Sequence, residues 1–120
     1  MDLVAFVPTT DLDRARAFYE GTLGLAVAEV TPFAVVLRCG GTTLRVTKVE
    51  RLTPQPFTVL GWTVDDVHAS LASLDVEAVR YEGIGQDSAG VWTTPDGIRV
   101  AWFHDPDGNT LSLSSRHRQA

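Results

Sequence analysis

Cysteine, lysine and methionine each occur once in these 120 residues. The lone thiol, Cys39, excludes an intrachain disulfide and points to a reducing compartment. Its setting, VVLRCGG, is the end of a strand, where a free cysteine serves as a small buried hydrophobe rather than a reactive group. Positive charge is scarce. Nine of the ten basic residues are Arg, acids number 15, and the net charge of −5 excludes a nucleic-acid partner. The basic run Arg116-His117-Arg118 is expected to end in solvent. Long apolar runs are missing too. None approaches the roughly 18–20 residues that span a bilayer, so no membrane partner is expected. The opening MDLVAFVPTTD has neither the basic nor the long apolar region of a signal peptide, and the expected location is the cytoplasm. There is no GxSxG, and the Gly83, Gly85 and Gly90 loop lacks the GK[ST] ending of a phosphate cradle.

What is present is a globular balance, 44% apolar and 21% charged, enough for one domain with one sizeable core. The chain divides into two similar halves. In the first, residues 3–8 read as a strand. Thr10 or Asp11 then caps a helix, with Asp13 placed to complete a capping box from Thr10. Leu12, Ala15, Phe18 and Tyr19 form its apolar stripe, and Gly21 and Gly24 mark its end. Strand-like runs follow at 25–30, 33–39 and 42–49, with Gly40-Gly41 as a hairpin turn. Thr53-Pro54-Gln55-Pro56 reads as a linker.

The pattern then restarts. Residues 57–64 read as a strand, and Asp65 or Asp66 caps a helix whose inner face carries Val67, Leu71 and Leu74. Runs at 76–82, 98–104 and 110–114 read as strands, with a further short one at Val91–Thr93. Asp105-Pro106-Asp107-Gly108-Asn109 is a strong turn. The expected organisation is therefore a first module at 1–52, a linker at 53–56 and a second module at 57–120, each βαβββ. Asp11 falls on Asp66 at an offset of 55, and Gly41 on Gly108 at an offset of 67. The excess of 12 places an insertion within 83–97 of the second half.

Three stretches carry a resemblance: Asp11-Leu12-Asp13-Arg14-Ala15 with Phe18-Tyr19 and Leu23-Gly24-Leu25, then Val64-Asp65-Asp66-Val67, then Trp102-Phe103-His104 with the DPDGN turn. In these the chain resembles the vicinal oxygen chelate superfamily, the glyoxalase/bleomycin-resistance/dioxygenase group, over almost its whole length. The resemblance implies an α+β fold: two βαβββ modules forming a curved eight-stranded cup, helices outside and ligand inside. It also implies a homodimer. In the metalloenzymes of that group four side chains hold a divalent metal, and carried onto this chain those places are Val4, Arg45, Val59 and Ser112. None suits the task. Valine has no donor, serine is a weak neutral one, and arginine is a permanent cation. No metal and no cofactor are expected.

Strand alternation then places the cup's lining. With positions 4, 45, 59 and 112 facing in, so do Phe6, Thr43, Thr47 and Thr63, together with Gly61 and Ser114. The resemblance puts a substrate-contacting residue at Trp102, and alternation adds Val100 and His104. Trp92 sits near the exit of the glycine-bearing loop, which reads either as a flap or as a plain loop. The expected ligand-binding set is Phe6, Thr43, Arg45, Thr47, Val59, Thr63, Trp92, Val100, Trp102, His104 and Ser112. It is apolar and aromatic, with hydroxyls to orient a ligand.

Arg45 carries two readings. It clamps a carboxylate or enolate oxygen of a ligand, or it is structural, pairing with an acid such as Glu29 on its own sheet face or snorkelling to the rim. His104 is a candidate acid–base group or a strand-end residue bonded to the turn. Tyr81, Asp87 and Asp96 read as rim groups of the cup or as solvated loop residues, and His68 as an exposed residue of the second helix.

With no catalytic residue assigned, the expected function is metal-free binding or sequestration of a small hydrophobic or aromatic molecule. That is the behaviour of the antibiotic-resistance members the resemblance brings in. One alternative is a glyoxalase- or dioxygenase-like lyase or isomerase with displaced metal ligands or acid–base chemistry. Another is an accessory subunit with a vestigial cup.

Overall fold

The structure is a computed structural model that describes residues 1–118. The second module's last two residues, 119–120, lie outside the described residues. The chain forms two compact units: residues 1–55 with 105–109, and residues 56–104 with 110–120. Each holds one four-stranded mixed sheet and one helical segment, giving the α+β class.

In the first unit, β1 (Val4–Thr9) leads into α1 (Leu12–Arg16), and the helix continues as a π-helical turn over Ala17–Thr22. β2 (Ala26–Val30), β3 (Ala34–Cys39) and β4 (Thr42–Lys48) follow, and the sheet order is β1-β4-β3-β2. β1 runs parallel to β4, as a strand returned by a helical crossover must, while β2–β3 and β3–β4 are antiparallel hairpins. Strand alternation sorts the faces. Val7, Leu37, Leu44 and Val46 are at most 3% exposed, and α1, with Ala15 buried, packs on β3 and β4. The other face leaves Phe6 63% and Val4 41% exposed.

The helix start differs from the expected capping box. Asp11 is the cap, its carboxylate accepting from Arg14 N–H at 3.0 Å. Thr10 turns instead to Asp107. Asp107 accepts from the Thr10 amide at 3.0 Å, the Thr10 hydroxyl at 2.9 Å and Arg14 Nη2 at 2.8 Å, and also from the Thr9 hydroxyl. In the π-helical turn, Leu23 N–H donates to Phe18 C=O at 2.9 Å, a spacing the 3.6-residue stripe does not foresee.

The DPDGN turn is the anchor of this unit. Gly108 has φ +86°, which favours glycine, and its N–H closes the turn on Asp105 C=O at 3.0 Å. The Asp105 carboxylate, buried, accepts from Tyr19 Oη at 2.7 Å, Asp107 N at 3.0 Å, Asn109 N at 2.9 Å and Asn109 Nδ2 at 2.8 Å. Asn109 Nδ2 also donates to Pro8 C=O at 2.9 Å, tying the turn to β1. The FY and DPDGN elements singled out in the sequence are therefore two ends of one hydrogen-bond network.

Burial pushes the Asp107 carboxyl up, but hydrogen bonds from Thr9 and Thr10 and the Arg14 charge outweigh it and hold it below the ordinary carboxylate value. A carboxyl depressed by folding stabilises the fold above its unfolded value of about 3.9, and that contribution disappears as pH falls through the lower folded value. The melting temperature is thus expected to fall steeply below about pH 4. Thr9→Val should flatten that acid limb. An acid limb identical in wild type and variant would dissociate it from Asp107.

In the second unit, β5 (Thr58–Val64) leads into α2 (Val67–Leu74). β6 (Trp92–Thr93), β7 (Arg99–His104) and β8 (Thr110–Ser115) follow, with sheet order β5-β8-β7-β6 and β5 parallel to β8. Of the two acids read as possible caps, Asp66 does the work, accepting from Ala69 N–H at 3.0 Å. Val67 and Leu71 of α2 are buried, as are Ala101, Phe103, Leu111 and Leu113 on alternate positions of β7 and β8.

The strand expected at 76–82 is not formed. It is reduced to a single bridge, Ala78 to Phe103, and Trp92–Thr93 supplies the fourth strand. The cause is local. Tyr81 N–H donates to Gln86 Oε1 at 2.7 Å, and Gln86 Nε2 donates to the Val79 and Gly90 carbonyls, each at 2.8 Å. Side-chain partners thus take the backbone groups a ladder would need. Arg116, expected in solvent, pairs with Asp65 at 3.0 Å while remaining exposed.

Candidate functional site

An aromatic concave surface lies within the second unit. Val100 is the β7 partner of Trp92, so Trp92 is set beside Trp102, two residues along the same face. The two indoles lie 6.2 Å apart and 23° from parallel. Tyr81 meets Trp102 edge-on at 5.2 Å and 90°. Pro56, Phe57, Thr58 and Ile84 complete a cleft of about 350 Å³. Phe57 is 59% exposed, so the cleft presents open aromatic surface to solvent.

Ile84 is carried on the loop between α2 and β6, and that loop is wired in place. Asp87 takes His68 Nε2 at 2.7 Å, Ala89 N at 3.0 Å and Val91 N at 2.9 Å, while Arg80 donates to the Asp87 and Ser88 carbonyls. Burial pushes the Asp87 carboxyl up, and the His68 and backbone hydrogen bonds more than offset it, leaving it below its ordinary value. His68 is therefore half-buried and engaged rather than simply exposed, and Asp87 organises the loop. Tyr81 belongs to the cleft wall.

Next to Trp102 across the sheet lies Ser112, and next to Ser112 lies Gly61. A Cβ at Gly61 would collide with Ser112 Oγ. Glycine there makes room for a hydroxyl on the same face as Trp102. Gly61→Ala is expected to leave the fold intact, since β5 accepts a side chain elsewhere along its length, and to push Ser112 Oγ aside. A shifted Ser112 amide resonance, with an unchanged unfolding transition, would show this. An unperturbed resonance would contradict the close approach.

Of the expected ligand-binding residues, the second unit brings Trp92 and Trp102 together, with Val100 and Ser112 as their neighbours in the sheet. Val59, at a bulge between Thr58 and Leu60, lies outside the cleft lining. So does His104, paired with Thr110. Thr63 is taken up by Arg116, which donates to its carbonyl at 3.2 Å. Phe6, Thr43, Arg45 and Thr47 share one face of the first unit's sheet, with Phe6 directly opposite Arg45. Glu29 lies on the same row, through Val36, but Arg45 forms no ion pair with it. Sequence reasoning missed Phe57, Ile84 and Pro56. Their signal was large apolar residues standing in loop and linker contexts.

The first unit also has an open depression of about 390 Å³ beside α1 and β2. Its walls mix Asp11 and Asp13 with Arg16 and Lys48, and they hold no aromatic ring.

The family model for the glyoxalase/bleomycin resistance protein/dioxygenase superfamily matches residues 2–113. The chain belongs to this superfamily. No curated protein matches the chain. Among solved structures, lactoylglutathione lyase from Agrobacterium tumefaciens is similar at 19% identity and TM-score 0.72, over 97% of this chain and 93% of that one. A glyoxalase/bleomycin resistance protein from Catenulispora acidiphila is similar at 21% identity and TM-score 0.72, over 98% and 99%. A superfamily protein from Alicyclobacillus acidocaldarius gives 20% and 0.67, over 96% and 90%. At such identities the likeness shows the fold alone.

The four residues that the sequence resemblance sets at metal positions carry no donors suited to a divalent ion. Val4, Arg45, Val59 and Ser112 offer no carboxylate, imidazole or thiolate. Among the described residues no group of three or more His, Cys, Asp or Glu side chains is placed to hold a metal. No described helix is long and apolar enough to cross a membrane.

Proposed function

We infer that this superfamily member is a metal-free binding protein that holds or sequesters a small, flat, hydrophobic or aromatic molecule, in the manner of a resistance protein. The Trp92–Trp102 pair, opening onto a cleft of about 350 Å³, carries the reading. A mostly apolar recess with few placed polar groups is the usual form of a small-molecule site. The cleft residues include no nucleophile–base pair and no cluster of titratable groups, which favours binding over transformation. The same reading takes the working form as a cytoplasmic homodimer.

Titration with neutral planar aromatics, followed by tryptophan emission, tests the idea. Saturable quenching at micromolar ligand, with the ligand recovered chemically unchanged, is expected. Absence of quenching across a broad aromatic panel would sink the binding reading, and consumption of the ligand would replace sequestration with catalysis.

A further inference from the structure

We propose that His68 is a positioning residue for the aromatic cleft, acting through Asp87 to hold the cleft's loop wall and Trp92 in place. The inference deepens the binding reading and rests on it for the ligand. His68 itself is remote from any molecule in the cleft. α2 packs on the face of the second unit's sheet that buries Ala101 and Phe103, and Trp102, between them in β7, stands on the opposite face.

A run of short bonds joins the two faces. His68 Nε2 meets Asp87 Oδ2 at 2.7 Å. Asp87 Oδ1 accepts from Ala89 N at 3.0 Å and from Val91 N at 2.9 Å. Asp87 N–H donates in return to Val91 C=O at 2.9 Å. Val91 is buried, and the next residue is Trp92, stacked with Trp102. The Asp87 carboxyl is held below its ordinary value, so at neutral pH it only accepts, and Nε2 carries the proton in this bond.

The residue before Asp87 fixes the other wall. Gln86 Oε1 accepts from Tyr81 N–H at 2.7 Å, and Tyr81 meets Trp102 edge-on. Between these anchors Ile84 reaches the cleft, flanked by Gly83 and Gly85, both at positive φ. Two such neighbours give Ile84 little stiffness of its own. The bonds of Gln86 and Arg80 stay within residues 79–90, whereas the His68 bond comes to Asp87 from α2 and ties the loop to the scaffold. A wall already held in place does not have to be ordered by the ligand, and affinity gains accordingly.

The pair is too open to matter much for folding. Its side chains are 38% and 45% exposed, and ion pairs in such settings add little stability. Its effect is on where the loop sits, so binding and stability respond differently to its loss.

Three measurements on wild type, His68→Leu and His68→Gln test the assignment: calorimetric titration with 2-naphthylmethanol, near-ultraviolet circular dichroism of the tryptophans, and thermal melting. His68→Leu should bind about 3- to 10-fold more weakly and lose part of the tryptophan dichroism. His68→Gln, whose amide N–H can reach the carboxylate, should recover the dichroism and bind within about two-fold of wild type. All three should melt within about 4 °C of one another. Unchanged affinity and dichroism in His68→Leu would overturn the assignment. So would a His68→Gln protein as impaired as His68→Leu, or a His68→Leu protein that melts far lower or fails to fold, since each makes the residue a packing element instead.

The cleft reading fails separately. Wild-type protein that binds no naphthyl ligand removes the cleft, and the dichroism of the three proteins then decides His68 without a ligand.

Discussion

Asp105→Ala is expected to lower the melting temperature by roughly 12–20 °C, the largest effect of any single substitution proposed for this fold. The Asp105 carboxylate is buried and accepts four hydrogen bonds, from Tyr19 Oη, the amides of Asp107 and Asn109, and Asn109 Nδ2. Alanine removes the acceptor and leaves these donors in place. Each unsatisfied buried donor costs about 1–3 kcal/mol, and partial relaxation brings the total to about 3–5 kcal/mol. Burial, with the Asp105 charge next, raises the Tyr19 hydroxyl far above its ordinary value, so it remains a protonated donor at every pH at which the protein is folded.

Tyr19→Phe is the internal control. It deletes one donor and keeps the ring, and its cost should be about 1–2 kcal/mol. Calorimetric unfolding of both variants checks the pair. An Asp105→Ala protein within about 1 kcal/mol of wild type would show that the turn is held by something other than this network.

Trp102→Ala should weaken a planar aromatic ligand by about 10- to 100-fold, equivalent to about 1.4–2.8 kcal/mol. Trp102 is the centre of the cleft, stacked with Trp92 on one side and met edge-on by Tyr81. A ligand lying on it gains ring stacking of about 0.5–1.5 kcal/mol beyond its buried area, and truncation forfeits both. Trp102 is half-buried, so its loss costs the fold less than loss of Asp105, and binding and stability separate. Trp102→Phe should retain most of the affinity. Equal affinity in wild type and Trp102→Ala, measured by calorimetry so that the lost fluorophore does not matter, would move the binding site elsewhere.

The parts of this architecture that were legible in the sequence rest on short-range signals. Val4–Thr9 is a short apolar run and Thr42–Lys48 alternates, and register then fixed which side chains share a face, including Phe6 with Arg45. Asp11 and Asp66 cap by local geometry that four residues suffice to specify. What was not legible depends on long-range competition. Residues 76–82 have the composition of a strand, but Gln86 captures their backbone groups from five to seven residues away, and no periodicity reveals that. The cleft suffered for the same reason. Tyr81 and Ile84 look like loop residues because they are loop residues, and only the folded loop brings them to Trp102. The Tyr19–Asp105 bond spans 86 positions, so each motif could be recognised and their union could not.

The edge of β7 is shared by two unrelated pieces of chain, β6 at Arg99–Val100 and the single bridge at Phe103. Between them runs a segment that touches the sheet through Val79 N–H, which donates to Trp102 C=O at 2.7 Å, and whose backbone is otherwise bonded by its own Gln86, Asp87 and Arg80 side chains. Such a segment can be lengthened, shortened or exchanged without breaking a ladder. Evolution, or an engineer, can therefore rewrite one wall of the aromatic cleft as a cassette, retuning which molecule fits while the scaffold beneath stays the same.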